Sequence, residues 1–392
     1  MGQSGQRDSK FYQRAFMKIG VVLHPYGEDK PSGLGHYILE LTQNLLAIDR
    51  KNTYLIFTKG APRASPALSG NNWRIVPLGF GKLWRDIGFI FAPKADVYLF
   101  GTPVLPIFFK LKKTIVVTHD FPYRHIAPDT LKQRIYKPLL NFVHKLSLRK
   151  ADGVVAISEY TKQEDINLFG VDERKITVIY NGFRDVGATK PAELKLKKPY
   201  FLAVGAVKER KNTLRIVQAF ASALQEHNLP HHLVIVGKTG NSYSKKVMDY
   251  IKEKRIENRV LFFGHANDEQ LSYLYRNAEA LVFPSTIESF GFPVLEAMSC
   301  GLPVITSKYG GVAEVAGDAA LLVNPESVSE IAQAFLEITE NPARRSGLIA
   351  RGYKQARKFS WQKTARQFLA LMESTVKKSE SREFRGETSG RE

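Results

Sequence analysis

From Lys18 onward, short apolar runs alternate with segments whose apolar residues recur every three or four positions. KIGVVL (Lys18–Leu23), TYLIF (Thr53–Phe57), WRIVPL (Trp73–Leu78), ADVYLF (Ala95–Phe100), KTIVVTHD (Lys113–Asp120) and DGVVAIS (Asp152–Ser158) have the length and β-branched content of strands. Between the first two, a loop holding PSGLGHY (Pro31–Tyr37) gives way to Ile38, Leu41, Leu45 and Leu46 at helical spacing. Leu131–Arg149 reads as a basic amphipathic helix. A second series follows: YFLAVGA (Tyr200–Ala206), HLVIVG (His232–Gly237), RVLFFG (Arg259–Gly264), EALVFP (Glu279–Pro284), LPVITS (Leu302–Ser307) and AALLVN (Ala320–Asn324). Apolar strands alternating with helices predict an α/β protein built on parallel sheets.

The two series are separated by Arg184–Lys198, which follows ITVIYNGF (Ile176–Phe183), lacks apolar periodicity and reads as a linker. The expected organisation is an extension over residues 1–17, a first Rossmann-like domain over 18–183, the linker over 184–198 and a second domain over 199–360. A final helix covers 361–376, and 377–392 has almost no apolar residues, the composition of a disordered tail. Met17 offers an alternative start of the fold.

Charge sharpens this picture. Over 392 residues, 57 Lys or Arg against 38 Asp or Glu leave +19, and ten of those cations lie between Lys110 and Lys150 against only Asp120 and Asp129. Such a patch favours anionic partners, an acidic membrane surface among them. The single Cys300 excludes an internal disulfide and suits a reducing, cytoplasmic compartment. No secretory leader is expected from the polar residues 1–16, and Ile87–Phe109, the most apolar stretch, is interrupted by Lys94, Asp96 and three prolines.

Candidate chemistry concentrates in the second series. Strand Ala280–Phe283 runs into a polar turn carrying Glu288 and Gly291, and a helix is expected from about Pro293, where a missing N–H costs nothing. Free N–H groups at that terminus suit a phosphate. Glu288 before it and Glu296 in its first turn suit hydroxyls, so the pattern fits a nucleotide sugar. Lys211, with Arg210 beside it, follows the first strand of this series. Cations at a positive helix end make sense when an anion binds there.

The run FPSTIESFGFPVLEAMSCGLPVITSKYGGVAEVAGDAALLVNP (Phe283–Pro325) closely resembles the nucleotide-sugar site of retaining GT-B glycosyltransferases, in particular glycosyltransferase family 4 and its mannosyltransferase-like members. The resemblance extends from Lys18 to about Val376. It implies two Rossmann-like domains facing a central cleft, with the helix Trp361–Val376 crossing back to the first domain. Glu288 and Glu296 match the family's E-x7-E pattern. By that resemblance Glu288 binds donor-sugar hydroxyls and Glu296 the ribose, while the backbone of Phe290, Gly291, Phe292, Val294 and Leu295 lies against sugar and diphosphate. Lys211 maps onto the family's diphosphate-binding lysine. Some members carry an arginine after the strand glycine where this chain has Ala206, which leaves that role to Arg210. Gly33 and Gly35 match the loop that reaches toward the diphosphate, and His119 the first-domain histidine beside the sugar. Ser158 and Glu159 resemble a strand-end motif facing the cleft, although local helix capping explains Ser158 equally well.

The function implied is hexosyl transfer from a nucleotide sugar, GDP-mannose ahead of a UDP-hexose, to a glycan or lipid-linked acceptor. No Asp-x-Asp motif or His/Cys cluster indicates a metal, and no cofactor is expected. A nicotinamide-dependent oxidoreductase would need a G-x-G-x-x-G fingerprint after the first strand, and PSGLGHY lacks that spacing. A basic nucleic-acid-binding module is permitted by charge but has no accompanying motif, so no nucleic-acid partner is expected. Oligomeric state is left open.

Overall fold

The computed structural model describes residues 16–26, 33–62, 66–125 and 131–388, with side chains excepted at 132–133 and from 378 onward. Seven strands form the first sheet: β1 (Lys18–Val22), β2 (Thr53–Thr58), β3 (Trp73–Pro77), β4 (Val97–Phe100), β5 (Thr114–Thr118), β6 (Gly153–Ala156) and β7 (Ile176–Val178). Six form the second: β8 (Tyr200–Val204), β9 (His232–Val236), β10 (Val260–Gly264), β11 (Leu281–Phe283), β12 (Val304–Ser307) and β13 (Leu321–Val323). Both sheets are parallel throughout, in the orders β3-β2-β1-β4-β5-β6-β7 and β10-β9-β8-β11-β12-β13. Every apolar run singled out in the sequence contains one of these strands. The order reverses beside β1 and beside β8, and the crevice outside the strand ends at such a switch point is where open α/β sheets hold ligands.

Helices cover the sheets because their apolar stripes have nowhere else to go. In the helix Gly33–Ile48, Ile38, Leu41, Leu45 and Leu46 are fully buried. Each such side chain contributes about 1.5–3 kcal/mol by leaving water. The last helix does cross back to the first domain: Trp361 packs on Tyr37 with ring centroids 5.5 Å apart, and the Thr364 hydroxyl donates to the Tyr180 carbonyl at 2.8 Å. Phe359, just before it, meets Tyr180 of the first domain and Phe290 of the second.

Several expectations are corrected. Gly33 and Gly35 are not in a loop: they open the helix Gly33–Ile48, with Gly35 buried and Gly33 exposed. The apolar spacing from Ile38 extends one turn further back than the glycines suggested, and Pro31 and Ser32 lie outside the described residues. The final helix continues to Thr388, so 377–388 is helical and only 389–392 of the expected tail lies outside the described residues. Lys, Glu and Arg are good helix formers, and extending an existing helix avoids the cost of nucleation. Arg184–Lys198 is a connection in sequence but packs along the second domain. Val186 is buried, the Ala192 N–H donates to Glu269 O at 3.0 Å, and Ser272 donates to Thr189 O at 2.8 Å. Met17 belongs to the fold, since its N–H donates to Asn52 and its carbonyl accepts from Thr53. Residues 1–15 of the expected extension lie outside the described residues.

Candidate active site

The carboxyl ends of β8 and β11 bring the basic segment and the glutamate turn together. Lys208–Lys211 makes one tight turn ending at Asn212, which takes a left-handed conformation (φ 61°) that asparagine tolerates better than most residues. The buried Asn212 amide then donates to Pro284 O at 3.0 Å and to Pro325 O at 2.5 Å, tying the turn to the ends of β11 and β13. Thr286 N–H donates to Arg210 O at 3.0 Å. This lattice fixes Arg210 and Lys211 beside Glu288. Asn212 is a positioning residue that the sequence reading passed over, although an asparagine directly after the last cation was visible.

Lys211 Nζ donates to Glu288 Oε2 and lies 4.4 Å from the centre of the Phe283 ring. Arg210 lies 3.6 Å from the same carboxylate oxygen and 3.5 Å from Asp120 Oδ2, which belongs to the first domain. Two cations therefore share two carboxylates across the domain boundary. All four side chains are mostly shielded from water, which strengthens their fields relative to a surface cluster.

The turn between β11 and the helix Phe292–Ser299 is shaped by Gly291, whose φ of 90° is closed to most side chains. Pro293 sits in the first turn, as expected. The side chains of Val294 and Leu295 are fully buried and that of Phe290 nearly so, which leaves only their backbone for contact with a ligand. Gly310 and Gly311 pass over this turn so closely that a Cβ on Gly311 would stand 1.9 Å from Ser289 O.

Glu296 departs from expectation. It is the fifth residue of its helix, past the first turn, nearly buried, and accepts from the Tyr275 hydroxyl at 2.8 Å. Burial pushes its carboxyl up from the usual range, with the Tyr275 bond opposing that. Cys300, at the end of the same helix, is a thiol whose pKa burial raises to about 11, so it stays protonated and inert at neutral pH.

From the first domain, His119 follows β5 beside Asp120. Its Nε2 lies 3.0 Å from the Gly101 carbonyl, and its ring packs edge-on against Tyr37 at 4.7 Å. A carbonyl can only accept, so Nε2 carries the proton and Nδ1 is left as an acceptor. Burial lowers the pKa of this histidine, which keeps it neutral at pH 7. Gly33 and Gly35 lie in the helix that carries Tyr37.

Ser158 caps the helix Glu159–Phe169 by accepting from Thr161 N–H, so the capping role holds. The same helix end has a second partner that the sequence reading missed. Glu314, in the helix Gly311–Ala316 of the second domain, accepts from the backbone N–H groups of Glu159 and Tyr160 and from the Tyr180 hydroxyl. The signal available was a lone acid in GGVAEV. Among the described residues, no group of three or more His, Cys, Asp or Glu could hold a metal ion.

Residues 188–355 match the model for glycosyl transferases group 1, and residues 31–185 match that for Glycosyltransferase Family 4. The O-antigen chain mannosyltransferase B of Escherichia coli is 30% identical over 359 residues, spanning 84% of this chain and 93% of that protein. The O-antigen chain mannosyltransferase RfbU of Salmonella typhimurium is 30% identical over 233 residues, 59% of this chain and 62% of the relative. Among solved structures, sucrose-phosphate synthase from Thermosynechococcus elongatus superposes with a TM-score of 0.70 at 20% identity, covering 91% of this chain and 98% of the other. Anabaena HepE in complex with UDP and glucose does so with 0.68 at 19% identity, over 91% and 100%. The two α/β units meeting along their strand ends have the GT-B architecture, and the chain belongs to glycosyltransferase family 4.

Proposed function

We propose that this glycosyltransferase moves mannose from GDP-mannose to a hydroxyl of a glycan or lipid-linked saccharide, with retention at the anomeric carbon and without a metal ion or cofactor. The observation that carries the reading is the convergence of Arg210 and Lys211 on Glu288 at the switch point of the second sheet, opposite His119 and Asp120. When the bond from the anomeric carbon to the donor diphosphate breaks, the electron pair stays on the diphosphate. Arg210 and Lys211 then stabilise the growing charge, helped by the N-terminal amides of the helix Phe292–Ser299. Two fixed cations provide the electrostatic work that a divalent metal provides elsewhere. Glu288 accepts from donor-sugar hydroxyls, and neutral His119 accepts through Nδ1 from a sugar or acceptor hydroxyl. Glu296, held by Tyr275, reaches the ribose by a rotamer change or acts by fixing the helix.

Mannose is favoured because both relatives at 30% identity are named as O-antigen mannosyltransferases. UDP-hexose is the second donor class, since HepE was solved with UDP and glucose. A panel of GDP, UDP, ADP and their sugars, read by thermal shift and then by transfer, separates the donors, because a ligand of the native state raises the melting temperature. A shift with GDP and GDP-mannose alone is expected, whereas a larger shift with UDP would move the assignment. Product NMR should show the donor's anomeric configuration, and activity should survive EDTA. An inverted product would remove retention from the proposal, and loss restored by Mn²⁺ would remove metal independence.

No described helix is long and apolar enough to cross a membrane. We place the enzyme peripherally on the cytoplasmic face of a membrane, attracted by the basic Lys110–Lys150 region, where a lipid-linked acceptor would meet the cleft.

A further inference from the structure

The His119 imidazole is held at two places, and both holds come from one turn of the helix Gly33–Ile48. The first is the hydrogen bond from Nε2 to the Gly101 carbonyl at 3.0 Å. Gly101 has no side chain to keep it off that helix: a Cβ there would stand 3.0 Å from Ile38 Cδ1, and Ile38 is fully buried. The second is the Tyr37 ring, whose centroid lies 4.7 Å from that of His119 with the ring planes at 85°. One hydrogen bond fixes an atom but lets a ring rock about it. An edge-on aromatic contact on another side fixes the plane, and such pairs are favoured beyond the area they bury. With both in place Nε2 donates and Nδ1 is left to accept.

Tyr37 is itself wedged from behind. Trp361, the first residue of the last helix, is nearly buried and packs on the Tyr37 ring with centroids 5.5 Å apart. Trp361 is in turn seated on Gly182, where the chain leaves the first domain: a Cβ on Gly182 would lie 2.1 Å from the Trp361 backbone nitrogen. The two crossings of the chain between the domains therefore meet behind the ring that touches His119. The Tyr37 hydroxyl is buried and has no hydrogen-bond partner. An unpaired buried hydroxyl opposes stability. Whatever Tyr37 does for His119, it does with its ring.

We infer that Tyr37 is a positioning residue for His119: its ring, backed by Trp361, holds the imidazole in the orientation that presents Nδ1 as an acceptor, so the seating of the last helix is felt at the site. The same contact shields the imidazole from water. Burial is the largest influence on the His119 pKa and lowers it, against the opposing pull of the Gly101 bond and of Asp120, which itself lies 3.5 Å from Arg210. A purely packing role for Tyr37 predicts something else, a loss of stability with His119 unchanged. The inference deepens the proposed role of His119 and rests on it for its catalytic consequence, whereas the state of the imidazole can be read without any turnover.

NMR of the full chain labelled with ¹⁵N at histidine tests it, with the His119 signals assigned by their loss in His119→Gln. Wild type should show one His119 tautomer, protonated at Nε2, at neutral pH. In Tyr37→Leu the signals should broaden or mix both tautomers, and the His119 pKa should rise toward the ordinary value of about 6.5. In the same variant kcat should fall on the order of 10²-fold, the scale of a misplaced reacting group, with the donor KM little changed. Tyr37→Phe keeps the ring, so it should recover the wild-type spectrum and most of kcat, and it should melt no lower than wild type. Trp361→Leu should move the spectrum in the same direction by a smaller amount, and it carries the test if Tyr37→Leu does not fold. Wild-type His119 signals in folded Tyr37→Leu and Trp361→Leu would overturn the inference. So would a Tyr37→Phe variant as impaired as Tyr37→Leu, because the hydroxyl would then be the acting group. Full transfer by His119→Gln would instead remove the proposed role of the histidine, while its dependence on Tyr37 is still decided by the spectra.

Discussion

Glu314 of the second domain accepts a hydrogen bond from the backbone N–H of Glu159 in the first at 2.9 Å. A carboxylate at a helix N-terminus satisfies amides that would otherwise lack partners and is favoured by the helix dipole. Here the helix belongs to one domain and the carboxylate to the other, so the capping interaction also holds the domains together.

Glu314→Ala should therefore loosen domain closure. Charged hydrogen bonds of this type are worth about 1.5–3 kcal/mol, so kcat/KM should fall roughly ten- to a hundredfold. Small-angle scattering should show a larger radius of gyration at an almost unchanged melting temperature. Unchanged scattering and kinetics together would mean that the contact holds nothing.

Glu288→Ala and Lys211→Ala should each cost on the order of 10²–10³ in kcat, as removal of one preorganised stabiliser does. Glu296→Ala should act differently, through donor affinity and through stability, because it strands the buried Tyr275 hydroxyl. Steady-state kinetics with saturating donor separate these cases. Full turnover by Glu288→Ala would remove it from the site.

Two glycine substitutions divide backbone need from helix propensity. Gly311→Ala forces a Cβ to 1.9 Å from Ser289 O and should displace the Glu288 turn, abolishing transfer. Gly33→Ala meets nothing within 4 Å in a helix and should stabilise the protein by about 0.4–1 kcal/mol. If donor KM nevertheless rises in Gly33→Ala, the donor approaches that backbone closely, as the family resemblance implies.

Stability should fall in mild acid through His144 and His231. Both are buried, and burial lowers each pKa to about 4. The unfolded chain protonates them near pH 6.5, so the stability they contribute is complete above that pH and is lost as pH drops from about 6.5 toward 4. His231, stacked on Phe201 at 4.8 Å, should account for roughly 1–3 kcal/mol of the decline. His231→Leu should flatten the melting temperature between pH 7 and 5. An equally steep decline in the variant would assign the acid sensitivity to other groups.

The sequence alone determined most of both sheets and the core of the candidate site. Twelve of the thirteen strands were legible, most of them because a parallel strand buried on both faces has to be a continuous apolar run, whereas β7, inside Ile176–Phe183, was not read as a strand. The turn around Glu288 was legible because Gly291 and Pro293 each answer a local backbone demand. The pairing of Arg210 and Lys211 with Glu288 was only implied, since these residues lie far apart in the chain and nothing local joins them. What the tertiary structure alone decided depends on which surfaces meet. Gly33 and Gly35 looked like a loop because glycine permits one, but packing of Tyr37 and Ile38 drew them into a helix. Glu296 looked available until Tyr275 was placed against it. Glu314 shows no local sign of reaching the other domain. Ile135 and Phe142 belong to a helix whose amphipathic pattern was legible, yet which side would be buried was not, and the shape of the first domain chose the side carrying Leu148.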